Sequence, residues 1–256
     1  MSSGGTLDKY KNLSKAKYIF LVLRLIVILI MIHNIIISNY ENVFVCLLTL
    51  ILFILPYFVE KKFKLEISDT LEIIILIFIF SAEILGELNS FYTRIPGWDT
   101  MLHTINGFVM GAIGLSMTHL LNNSKNTKIK LSPLFVAIVS FCFSMTIGVM
   151  WEFFEFGMDN VFKIDMQKDY VVNEIHSVTF DPNGLNNVHD VYIDSLIVNG
   201  EDYIEKYGGY IDIGLIDTMK DLIVNFIGAF VFAIFGYFYS KDDNNDKIKK
   251  LLIVAK

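Results

Sequence analysis

The chain has 256 residues, 54% of them hydrophobic, with a mean hydropathy of +0.53 and a formal net charge of −6. Soluble domains rarely carry so much apolar surface, and runs of about 20 apolar residues argue for membrane-spanning helices. The acidic balance leaves no case for a nucleic-acid partner. Cys46 and Cys142 fall in separate apolar runs, which excludes a disulfide framework or a CxxC pair.

Residues 1–17 read as a short basic cytoplasmic tail carrying Lys9, Lys11, Lys15 and Lys17, with no cleavable signal peptide. The first span is expected at about 18–38, long enough for a bilayer at roughly 1.5 Å per residue. Arg24 lies near its basic end, within snorkelling reach of water. The second span, about 42–59, ends at Glu60-Lys61-Lys62-Phe63-Lys64, and Pro56 predicts a kink close to that end. The third begins at Ser68-Asp69, where Ser68 caps the helix and Glu72 supports its first turn. It turns polar at Ser81, Glu83 and Glu87.

A short loop with Arg94 and the turn dipeptide Pro96-Gly97 leads to the fourth span, Asp99 to about Leu121. Gly107, Gly111 and Gly114 give it small-residue spacing suited to close helix contact. A basic loop (Lys125, Lys128, Lys130) precedes the fifth span, about 133–156, which closes with Trp151-Glu152-Phe153-Phe154-Glu155. The sixth runs from near Asp217 to near Ser240, followed by a cytoplasmic tail, 241–256, whose apolar end is too short to span.

Positive charge alternates along the chain. It sits in both tails and in the second–third and fourth–fifth loops, whereas the other two short loops hold only Arg94. That pattern predicts an all-α membrane protein, a bundle of six transmembrane helices with both termini cytoplasmic. It also places Glu83, Glu87, Asp99, His103, Glu152, Glu155, Asp217, Asp221 and Asn225 at one depth, towards the outer face. Between the last two spans lies an acidic loop, 157–215, with eleven Asp or Glu against three Lys. Asp181-Pro182-Asn183-Gly184 is a turn signal, and Asn199-Gly200 predicts a hairpin. A small extracytoplasmic lid with some strand content is expected, without the spacing of a calcium loop. His176 and His189 read as solvated lid residues.

Ionisable groups inside membrane-length apolar segments are expensive, and so mark a functional site by default. Carboxylates with one imidazole suit Mg²⁺, Mn²⁺ or Zn²⁺, with Asp99, His103, Glu152, Asp217 and Asp221 as ligand candidates. Glu152, Glu155 and Asp221 are the candidate catalytic groups, and Glu83, Glu87 and Asn225 would support them from outside the ligand shell. This constellation suggests metal-assisted hydrolysis or group transfer on a lipid, lipid-linked or other envelope substrate. Proton- or cation-coupled transport is the alternative reading, and a non-catalytic membrane assembly partner the third. Taken singly, Asp99 and Asp217 also suit helix starts, and Glu152 and Glu155 suit an interfacial helix end.

Trp98-Asp99-x3-His103 with Gly107, Trp151-Glu152-x2-Glu155, and Asp217-Thr218-x2-Asp221-x3-Asn225-x2-Gly228 together resemble the YjdF-like family. The shorter Asp-x3-His opening also resembles VanZ-like membrane proteins. The first likeness implies a multi-pass protein of the bacterial cytoplasmic membrane. It implies no reaction, substrate or oligomeric state.

Overall fold

The structure is a computed structural model that describes residues 14–123, 130–163, 165–211, 214–241, 248 and 250–255. The basic residues Lys9, Lys11, Lys125, Lys128, Lys247 and Lys249 lie outside these. Among the described residues, five helices are long and apolar enough to cross a membrane: Lys15–Ile36, Tyr40–Lys62, Trp98–Asn122, Pro133–Phe162 and Leu215–Lys241. Leu21, Leu25, Leu29, Phe44, Leu47, Ile223, Phe230 and Phe238 are all exposed along them. Apolar bands of that extent are unsuited to water and suited to lipid.

Two units divide the chain, Met1–Gly148 with Ile223–Lys256, and Val149–Leu222. The first unit opens with α1 (Lys15–Ile36) and α2 (Tyr40–Leu52), a tight antiparallel pair. Buried Asn34 joins them, donating to Ile30 O and accepting from Asn42 Nδ2 at 3.2 Å. The expected kink at Pro56 is a break at Phe53–Ile54, because α3 (Leu55–Phe63) restarts with proline in its first turn. Ser68 caps α4 (Asp69–Ile79) through the amide of Leu71, as its sequence position requires.

The expected third span is not one α-helix. At Phe80 the chain passes into a π-helical segment, Phe80–Leu88, whose last ring is closed by Asn89 N–H on Ile84 O at 3.1 Å. Glu83 and Glu87 both lie in this widened segment, and π-turns often accompany functional sites. A one-turn helix, α5 (Phe91–Arg94), fills the following loop.

α6 (Trp98–Asn123) is the axis of this unit. Against it lie the first half of α7 (Pro133–Phe162), antiparallel, and the later turns of α9 (Leu215–Lys241), parallel. Ser140 and Ser144 of α7 donate to the carbonyls of Gly111 and Gly107, at 2.5 and 2.7 Å. A Cβ at Gly107 would strike the Asn225 carbonyl, and one at Gly228 would strike that of Thr104. Both helices therefore need glycine at their crossing. Further along, Gly111 meets Phe232 and Gly236 meets Leu115, so the register stays parallel.

The apolar end of the C-terminal tail packs back onto this unit. Ile253–Ala255 (here the final strand) pairs antiparallel with β1 (Leu65–Ile67), and Ile253 N–H donates to the buried Ser116 hydroxyl at 2.9 Å. Ile248 and Leu252 join a core with Leu115, Val136 and Phe232. Three strand residues cannot span a bilayer, but they can bury an apolar edge.

The second unit holds the last turns of α7, a run of short strand pairs (165–211, here called the lid without reference to what they cover) and the first turns of α9. α7 continues to Phe162, so the lid begins six residues later than expected. β2 (Val171–Val172) pairs with Tyr210–Ile211, and β3 (Glu174–Ser177) with β4 (His189–Tyr192). Asn199 (φ 53°) and Gly200 (φ 88°) form the expected turn between Ile197–Val198 and Glu201–Asp202.

Replacing Gly107 by Ala should cost about 1–3 kcal/mol of stability, as overpacking against backbone does. Gly157→Ala, with open space around it in α7, should be neutral or stabilising by about 0.5–1 kcal/mol. Denaturation of both variants in detergent checks this; equal stability would contradict the crossing.

Candidate functional site

Asp99 and His103 stand one turn apart on α6, His103 Nε2 lying 3.5 Å from Asp99 Oδ1. His103 is buried and Asp99 half-buried. Two features of α6 position them. Pro96-Gly97, with Gly97 at φ 78°, turns the chain into the helix, and Phe91 packs edge-on against Trp98 at 5.0 Å between ring centres. One turn further in, Asn106 Nδ2 donates to Asn225 Oδ1 at 3.1 Å. Asn225 is fully buried, with its amide nitrogen 3.6 Å from Met145 Sδ and its bulk accepted by the missing side chain of Gly148.

That amide pair sets the register of α9 on α6. Asn225 lies at the level of Gly107. A carboxylate oxygen each from Asp99 and Asp221 and a ring nitrogen of His103 lie within 4.8 Å of one another. Asp221 is 3% exposed, well below the exposure expected of a solvated helix-start carboxylate. One imidazole and two carboxylates form a donor set suited to Zn²⁺, Mn²⁺ or Mg²⁺.

The other sequence candidates sit as follows. Glu152 and Glu155 are buried on α7, and Glu155 Oε1 accepts the Trp151 indole N–H at 2.7 Å. Asp217 is buried in the first turn of α9 and accepts the backbone N–H of Lys168 at 2.7 Å. Glu83 is half-buried and Glu87 exposed in the π-helical segment.

Sequence reasoning missed the groups that fasten the lid base. Asp159, near the end of α7, accepts the amides of Met166 and Gln167 at 2.6 and 2.9 Å. Gln167 is itself buried and donates to Thr218 Oγ1 at 2.5 Å. Gly214, at φ 92°, packs its backbone on Gln167. The segment Met166–Lys168 thus runs along the first turn of α9, which carries Asp217 and Thr218. No spacing rule could reveal this, since Gln167 and Thr218 are 51 residues apart.

In the lid itself, His176 Nδ1 lies 2.6 Å from Asp190 Oδ1 and Nε2 lies 3.8 Å from Glu174 Oε2. His176 is exposed, as expected, and paired with both carboxylates. The hydrogen bond to Asp190, then the charge of Glu174, hold its imidazolium above the usual histidine range. This ion pair supports the folded lid below the ordinary histidine pKa and is lost as pH rises through the raised one.

Long apolar helices, a buried carboxylate–imidazole group and lipid-suited outer faces define a multi-pass helical membrane protein. The chain belongs to the family described as Predicted membrane protein (DUF2238), the YjdF-like family, which matches residues 18–242. The VanZ-like resemblance gains no support from that match. Neither curated proteins nor solved structures give a match.

Asp159→Ala should release the lid base while leaving the helices folded. Hydrogen exchange at the Met166 and Gln167 amides should then accelerate; unchanged protection would show that Asp159 does not anchor them.

Proposed function

We propose that Asp99, His103 and Asp221 hold a divalent metal ion and that the protein is a metal-dependent hydrolase or transferase acting on a lipid or other envelope substrate. The observation that carries this reading is the approach of two carboxylates and one imidazole to within 4.8 Å at a buried position. Such a set has the right chemistry for a hard or borderline cation, and three protein ligands leave positions open for substrate and water. A metal bound there would polarise a phosphoryl or carbonyl oxygen and make a water molecule more acidic.

The protein groups divide the remaining work. Asp99 and Asp221 would supply carboxylate oxygens and His103 an imidazole nitrogen as ligands. Asn225 fixes the α9 register from one turn below through its hydrogen bond with Asn106. Glu152 or Glu155 would serve as general base, because each is a buried carboxylate outside the triad. Asp217, tied to the lid at Lys168, would couple lid position to the start of α9.

The proposed setting is the bacterial cytoplasmic membrane, with both termini inside. Residues 69–88, α4 with its π-helical continuation, would be the sixth crossing. Support comes from the alternation of basic loops and from the length of this largely apolar stretch, which is about the 20 residues a crossing needs. The site would then lie towards the outer leaflet, on the side of the membrane to which the acidic segment is assigned.

Metal analysis of the purified protein tests the reading. About one equivalent of divalent metal is expected in wild type, falling at least tenfold in His103→Ala and Asp221→Asn. Equal metal content in wild type and both variants would overturn it. A substrate-independent ion flux in proteoliposomes, abolished by Asp221→Asn, would favour transport instead.

A further inference from the structure

The lid carries a second constellation, independent of the helices. In the β3–β4 hairpin, Glu174 pairs in register with Tyr192, and His176 with Asp190. Glu174 and His176 are two residues apart on one strand, so their side chains share a face of the hairpin. Each is held from across the ladder. Asp190 takes the Nδ1 side of the His176 ring at 2.6 Å, and the Tyr192 hydroxyl donates to the Glu174 carboxylate.

A carboxylate can only accept, so the Asp190 contact puts the proton on Nδ1 and fixes the tautomer. Nε2 is thereby turned towards Glu174 Oε2, 3.8 Å away. Zinc–nitrogen and zinc–oxygen bonds of roughly 2.0–2.2 Å place tetrahedral ligands about 3.3–3.5 Å apart. The gap is therefore one small side-chain adjustment from bridging by a cation. A carboxylate backing the far nitrogen of a ligating histidine is the usual outer support of such sites, and it raises the basicity of the ligating nitrogen.

We propose that this hairpin is a divalent-cation site of the zinc type, with His176 Nε2 and a Glu174 oxygen as ligands and Asp190 and Tyr192 as the residues that orient them. The mixed nitrogen–oxygen set selects first-row transition ions over Mg²⁺ and Ca²⁺, which prefer oxygen alone. Two protein ligands leave the other positions to water or to an oxygen donor from outside the chain. The site does not depend on the buried triad, and it would survive the failure of that reading.

The test uses the full chain in detergent, stripped with chelator and titrated with Zn²⁺ above the histidine titration range. A His103→Gln/Asp221→Asn background removes the membrane candidate. Nitrogen-15 NMR of the imidazoles should show His176 Nε2 shifting on Zn²⁺ addition while Nδ1 keeps its proton. His176→Gln with Glu174→Gln should abolish one equivalent of binding. Asp190→Asn should weaken it by about 10–100-fold at unchanged stoichiometry. Protection of the Ile193 amide, which donates to Asn173 O, reports that the hairpin remains folded in each variant. A His176 ring unmoved at saturating Zn²⁺, or equal binding in the double variant, would overturn the proposal.

Discussion

The close approach of α6 and α9 at Gly107 and Gly228 is the constraint on which the remaining features rest. With no side chain on either helix at the crossing, backbone meets backbone, and the Asn225 and Thr104 carbonyls occupy the space a methyl group would need. Inside a bilayer there is little hydrophobic drive between helices, so contact of this kind and interhelical hydrogen bonds must hold them. Ser140, Ser144, Asn106 and Asn225 supply those bonds around the same crossing. The parallel register that results runs on through Gly111 against Phe232 and Leu115 against Gly236.

Burying ionisable groups there is costly, and the surrounding structure shows where the cost is offset. Asp99 and His103 face each other along one helix, and Asp217 and Glu155 have donors in Lys168 N–H and the Trp151 indole. A carboxylate fully satisfied by its own neighbours is a structural feature. Three groups gathered with ligand atoms turned together are a chemical one. Asp99, His103 and Asp221 are gathered in that way and carry the metal site proposed above, whereas Asp217 is committed to the Lys168 amide.

Much of this was legible in the sequence because membranes impose simple rules. Span length, the Ser68 cap, the Asn199-Gly200 turn and the small-residue spacing of α6 each follow from local geometry. The Asp99–His103 pair follows from helical periodicity. Other features have no such local signature. The π-helical segment differs from an α-helix only in which carbonyl each amide chooses, and hydropathy does not encode that choice. The final strand is three residues of a tail, recognisable only once β1 is seen beside it. Asp159 and Gln167 act through partners fixed by the path of the lid, and the His176–Asp190 contact depends on a hairpin register hidden by the long turn between its strands.

The arrangement of α6 against α9 can be measured directly by disulfide trapping in native membranes. In a chain with Cys46 and Cys142 replaced by Ala, cysteines introduced as His103→Cys and Asp221→Cys should cross-link rapidly under mild oxidation. Cysteines introduced as Met101→Cys and Ile223→Cys, both exposed positions, should not. Failure of the first pair to cross-link, with both cysteines reactive to a small thiol reagent, would contradict the register and the site built on it.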